Sequence, residues 1–316
     1  MRLIVALVLT LSALAAWGQD YPSRAVRVII PFPPGGAPDL TGRVLAARLA
    51  ERLGQPFVPE NRTGAGGNIA AETVAKAAPD GYTLLAASDG PLVINPNVYA
   101  KVPFDTLKDF APISIATSSG FVLLACPTLA ANTVPEVIAL AKSRKLSIGS
   151  SGFGSNHQLV GEMLKQSAGI DLTHVPYKGF GNAVVDAVAC NVDLLPGAIS
   201  SGIPHVRAGK LKAIAVTGPK RHPGLPDTPT FGEAGHPSVA MDAYFGMVAP
   251  AGTPKPILDK LHAELVAILK EPETRERFEK AGLDVVGSTP AEFSARIRAD
   301  LERFAKIAKS LGAKAE

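Results

Sequence analysis

Four short apolar runs in this chain each end in a glycine-rich turn that leads straight into a helical pattern. The run 26–30 precedes Phe32-Pro33-Pro34-Gly35-Gly36, and the stretch 56–58 precedes Gly64-Ala65-Gly66-Gly67-Asn68. Farther on, 146–148 leads into Ser150-Ser151-Gly152-Phe153-Gly154-Ser155-Asn156, and 172–176 into Tyr177-Lys178-Gly179-Phe180-Gly181-Asn182. A strand–turn–helix junction leaves the first N–H groups of the helix unpaired at the positive end of its dipole, where anions are attracted. Glycine lets the backbone approach a ligand, because no Cβ intervenes. Four such junctions, an early pair and a middle pair, point to two half-sites that jointly hold a small anion.

The remaining pattern is α/β with largely parallel sheets. Strands are predicted at 26–30, 82–87, 146–148, 172–175, 211–216 and 243–248, and helices at 39–53, 69–78, 135–143, 156–168 and 182–189. Three tail helices, 254–270, 272–281 and 290–310, each carry proline in the first turn. Between 111 and 125 two apolar runs are separated only by Ser118-Ser119-Gly120, read as a turn that breaks the strand–helix rhythm. The crossing into a second domain is placed there. The expected domains are 19–120 with 245–316, and 121–244. A chain that leaves one lobe, builds another and returns crosses twice, with the ligand between the lobes and hinge closure as the natural motion.

Residues 1–18 contain one charge, Arg2, an apolar run over 3–14, and small residues at Ala16 and Gly18. This reads as a secretory signal peptide cleaved near Gly18/Gln19, with a membrane anchor as the alternative. The mature chain is expected to be soluble and periplasmic. Losing Arg2 takes the net charge from +4 to +3 (+4 minus one), too small and dispersed for a nucleic-acid partner. The two cysteines, Cys126 and Cys190, lie in apolar segments. They could bridge in an oxidising compartment or remain buried thiols.

The chemical motifs exclude more than they assign. A dinucleotide loop needs a small third position, but starting from Gly64, Gly152 and Gly179 that position is Ile69, His157 and Val184. There is no phosphate-binding G-x-x-x-x-G-K motif, and no histidine cluster of metal-ligand spacing, so neither cofactor nor metal is expected. Gly149-Ser150-Ser151-Gly152-Phe153 lacks the last glycine of a serine-hydrolase elbow. An exported hydrolase using a serine from this loop with His157 is the enzyme-class alternative, but His157 reads first as a pocket-wall residue at a helix start. Lys178 either pairs with a carboxylate or is solvated at the cleft mouth. Asp39, in the first turn of its helix, either braces the free N–H groups there or orients a water that bridges to ligand.

In order along the chain, Pro31 to Gly36 with Asp39 and Arg43, Glu60-Asn61-Arg62 with Gly64 to Gly67, Asp80-Gly81-Tyr82-Thr83, Asn95-Pro96, Asp109-Phe110-Ala111-Pro112-Ile113, Val175 to Gly179, Arg207-Ala208-Gly209-Lys210-Leu211, Pro229-Thr230-Phe231 with Glu233-Ala234-Gly235, and Ala249 to Pro254 form one series. In this series the chain resembles the Bug-type solute receptors of bacterial tripartite tricarboxylate transporters, over essentially the whole mature length. The resemblance implies a two-lobed periplasmic-binding-protein fold, type II-like, closing on a di-, tri- or aromatic carboxylate without catalysis. It further implies a monomer that delivers ligand to transporter subunits or to a sensor. Carried over, the ligand contacts fall at Phe32 to Gly36 (Pro34 and Gly35 included), Gly66, Gly67, Ser88, Ser150 to Ser155 (with Gly152), and Tyr177 to Ala183 (with Lys178 and Gly179). Asp39 and His157 complete the candidate ligand set. Many relatives carry an acidic or amide pair where this chain has Gly197-Ala198, in a segment read as loop. That removes a partner for a ligand ammonium group and favours a plain or aromatic carboxylate.

Overall fold

The computed structural model describes residues 21–152, 155–177 and 179–311. The expected signal peptide and its cleavage site, the turn residues Phe153 and Gly154, and Lys178 lie outside the described residues. The first half of the molecule is built from β1 (Val26–Ile30), α1 (Ala37–Leu53), β2 (Phe57–Asn61), α2 (Asn68–Ala75), β3 (Thr83–Ser88) and α3 (Asn95–Val98). β1 lies between β2 and β3, parallel to both. Its residues Val28, Ile29 and Ile30 are fully buried, as a strand covered on both faces requires. α1 stops where Gly54 turns left-handed and its N–H reaches the Ala50 carbonyl.

The chain then runs through a single 16-residue strand, β4 (Phe110–Ala125). This corrects the expected turn at Ser118-Ser119-Gly120: these residues continue the strand. β4 changes partners there instead. Up to Gly120 it pairs antiparallel with β9 (Asp242–Pro250), and from Phe121 it pairs antiparallel with β7 (Leu194–Ala198) and β8 (Lys212–Val216). Small residues are what the spot accepts, since a Cβ on Gly120 would stand 3.1 Å from Ile199.

The second half contains α4 (Val134–Ser143), β5 (Leu146–Ser150), α5 (Asn156–Ala168), β6 (Leu172–Pro176), α6 (Phe180–Val188), β7, α7 (Ile199–Arg207) and β8. α4 begins in a reciprocal cap between Thr133 and Glu136. β7 and α7 escaped the sequence reading, because Pro196 interrupts the strand pattern and Pro204 the helical one. Gly197-Ala198 is thus the end of a buried strand and not a loop. β9 returns to the first half, lying antiparallel between β3 and β4, so the sheet centre departs from the expected parallel arrangement. The tail adds α8 (Lys255–Lys270), α9 (Pro272–Lys280), β10 (Asp284–Val285) against β4, and α10 (Pro290–Leu311).

Where the chain passes between halves, buried Thr217 joins both passages. Its hydroxyl accepts from the Phe121 amide at 2.9 Å and donates to the Met241 carbonyl. Cys126 and Cys190 form a disulfide, tying the end of β4 to the end of α6. The thiol reading is therefore set aside. Alkylation without reduction should label neither cysteine, whereas alkylation after reduction should label both; labelling of the unreduced protein would contradict the bridge.

Candidate functional site

A cavity of about 910 Å³ opens at the carboxyl ends of the strands, lined from both halves. Five helix starts reach it: α1 through Gly36 and Ala37, α2 through Gly66, α5 through Ser155, α6 through Phe180, and α7 through Ala198 and Ser200. Only α5 has its start satisfied by a side chain, Ser155 accepting from the Gln158 amide; α1, α2, α6 and α7 begin without one. The positive ends of α1, α6 and α7 therefore face the cavity with backbone donors available to a ligand, whereas at α2 the amides of Gly67 and Asn68 are already bonded to the Gly64 and Ala65 carbonyls.

The walls are aromatic. Phe32, Tyr99, Phe121, His157, Phe180 and Phe245 line the cavity, the His157 ring stacking on Phe180 at 5.2 Å and meeting Phe121 edge-on at 5.6 Å. Burial lowers the His157 pKa to about 4, so the ring is neutral near pH 7. Phe180 fills the space over Gly197, where a Cβ would meet its ring at 2.6 Å. Serine hydroxyls supply most of the polarity, from Ser88, Ser119, Ser151, Ser155, Ser200 and Ser201. Ser88 Oγ is buried and has no hydrogen-bond partner. Among the described residues no lysine or arginine lines the cavity.

Of the residues expected at the site, Phe32, Pro34, Gly35, Gly36, Gly66, Ser88, Ser155 and His157 line the cavity. Pro33, Ser151 and Phe180 from the expected stretches line it too, and the other described candidates do not. Asp39 accepts from the Gly35 amide at 3.1 Å, from Arg43 Nε at 2.9 Å and from Asn61 Nδ2 at 2.8 Å, so it braces the first loop. Burial works to raise its pKa, but Asn61, the Gly35 amide and Arg43 outweigh that and hold it below the ordinary value. Gly67 is buried with φ +95°, and a Cβ there would press on Pro31, Pro91 and Phe32. Ser150 is fully buried, its Oγ 2.7 Å from His174 Nε2 and accepting from the Gly152 amide. Gly152 shapes the turn, its carbonyl accepting from Ser155 Oγ. The Tyr177 hydroxyl donates to Asp186, and the Gly179 amide donates to the Ser151 carbonyl. Burial and then Asp186 raise the Tyr177 pKa to about 12. Ala183 belongs to the core between α6 and β4.

Asp89 was missed. It follows Ser88 at the end of β3, is 4% exposed and lines the cavity. One carboxylate oxygen accepts from the Gly90 amide at 2.9 Å; the other accepts from Asn156 Nδ2 at 3.0 Å, a bond that joins the two halves. Burial raises its pKa to about 7 against the two donors, with Asp242 and Asp300 adding to the rise. The rule that strand carboxyl ends carry ligand contacts could have found it from the sequence.

The family model described as tripartite tricarboxylate transporter family receptor matches residues 41–313. Protein BugT of Bordetella pertussis is 34% identical over 303 residues, covering 94% of this chain and 92% of its own. Two solved structures are similar throughout: R. palustris Rpa4515 with adipate (34% identity, TM-score 0.81, 93% of this chain and 99% of that one) and MatC from Rhodopseudomonas palustris with bound malate (33%, 0.77, 91% and 100%).

Proposed function

Because the chain belongs to the tripartite tricarboxylate transporter receptor family, we propose that it is an exported, monomeric receptor that captures a small organic carboxylate and delivers it to a transporter of that type. The observation that carries this reading is the convergence of four helix starts without side-chain caps on one cavity that no lysine or arginine lines among the described residues. Backbone donors at helix ends suit a carboxylate. Each hydrogen bond to a charged group contributes about 1.5–3 kcal/mol, so several together can reach the roughly 8 kcal/mol of micromolar affinity. The adipate and malate held by the similar structures are both carboxylates. Capture draws the halves together about the passages at Phe121 and Met241.

No turnover is proposed. Ser151 Oγ does lie 2.6 Å from His157 Nδ1. A ring whose pKa is about 4 is a weak proton acceptor, and no carboxylate hydrogen bond to His157 is present among the described residues to orient it.

A thermal-shift panel of mono-, di-, tri- and aromatic carboxylates tests the proposal. A ligand at about 100 times its dissociation constant should add about 2.7 kcal/mol of stability. It should also lower the radius of gyration and be recovered unchanged. A panel without any stabilising carboxylate, or one that yields product, sinks the reading.

A further inference from the structure

The cavity's only formally charged wall residue among those described is an acid, Asp89. Above its pKa of about 7 Asp89 is a buried anion, and such a group in the wall repels a plain carboxylate. No cationic side chain among the described residues bonds to Asp89. Its two hydrogen bonds come from an amide N–H and from Asn156, both uncharged. Among the described residues no guanidinium pairs with it; Arg296 is committed to Asp242 and Asp300. A carboxylate offers about four lone-pair sites, and two are used, so acceptor capacity remains on a group that lines the cavity. Beside it, the unpartnered Ser88 hydroxyl offers a further acceptor. Phe32, Phe121, Phe180 and Tyr99 line the same cavity, and aromatic faces attract cations.

We infer that the ligand is a carboxylate that also carries an ammonium group, its carboxylate held at the helix starts and its cation held by Asp89 with Ser88 beside it. This inference rests on the carboxylate-receptor reading and narrows it. It also reverses the preference for plain acids drawn from Gly197-Ala198: the acid absent from β7 is supplied by β3, from the opposite half. Phe180, packed over Gly197, adds apolar wall for the body of the ligand.

The test is calorimetric titration at pH 8 of wild type and Asp89→Asn with two matched sets. One is hexanoate, adipate and 6-aminohexanoate; the other is 3-phenylpropanoate and phenylalanine. Wild type should bind the amine-bearing member of at least one set tenfold or more tightly than its plain partner. Asp89→Asn should lose that preference and gain affinity for the plain acid, with circular dichroism showing a native fold. If the plain acids or adipate bind wild type as tightly as their amine analogues, the inference fails while the receptor reading stands. The same holds if Asp89→Asn keeps the amine preference. If none of these compounds binds either form while a carboxylate of the thermal-shift panel does, the inference fails and the receptor reading stands; if nothing in either panel binds, both fall.

Discussion

Without ligand at pH 8, Asp89→Asn should be more stable than the wild type, by up to about 4 kcal/mol. Burial, reinforced by Asp242 and Asp300, raises the Asp89 pKa from 3.8 to about 7, in spite of the bonds from Asn156 and Gly90. Between about pH 4 and pH 7 the folded state therefore holds more protons than the unfolded state. Stability from this group is full below the unfolded value and declines as pH rises through the window. Roughly three units at about 1.36 kcal/mol each set the upper bound. Asparagine keeps the geometry and cannot ionise, and Asn156 can turn its amide to present oxygen. The stability difference between variant and wild type should thus be near zero below about pH 4, grow to about pH 7 and then level off. Urea unfolding of both proteins across this range measures it. A difference that does not change with pH would mean that Asp89 is not the titrating group. A protein that keeps so costly a carboxylate in its binding cavity is consistent with a ligand that compensates it.

Gly246→Ala should destabilise the fold by more than about 3 kcal/mol, at the upper end of overpacking effects. Gly246 lies in β9 opposite Ala87 on one side and Ile115 on the other. A Cβ there would stand 2.2 Å from the Ser114 carbonyl oxygen and 2.9 Å from Ile115 Cα. Both obstacles are backbone, so no rotamer change relieves them. The β4 register shifts on either side of this point, between Pro112 and Ser114 and between Ile115 and Thr117, so two bulges meet the one glycine. Ser288 holds the bulged segment, accepting from the Ile115 amide and from Ser114 Oγ. Gly209→Ala is the comparison: φ is +66° but nothing lies within 4 Å of the new Cβ, so only about 1 kcal/mol of backbone strain is expected. Equal urea midpoints for the two variants would show that the contact is not restrictive.

The sequence disclosed best the elements with local signatures. α5 falls on the predicted 156–168 and β1 on 26–30, because a cap, a periodic face and a bounded apolar run are all short-range features. The glycine turns did mark the cavity, yet glycine alone did not say which residue faces it. Gly66 lines the cavity, whereas its neighbour Gly67 supports it from behind. β4 was misread because Ser118-Ser119-Gly120 has turn composition, while the real constraint is the close approach of Ile199 from across the molecule. The pairing of Cys126 with Cys190 and the bond from Asn156 to Asp89 likewise join distant segments. Neither leaves a periodic trace.

The position of β9 has a consequence for the order in which the molecule forms. It fills the gap between β3 and β4, pairing Leu85 with Val248 and Phe110 with Pro250. A chain emerging from its N-terminus must complete the whole second half before that strand exists. Until then β3 and β4 display unpaired inner edges, which are templates for association with other chains. Such long-range pairing is slow, because loop closure precedes the contacts that reward it. The sheet that is started first is therefore the one that closes last.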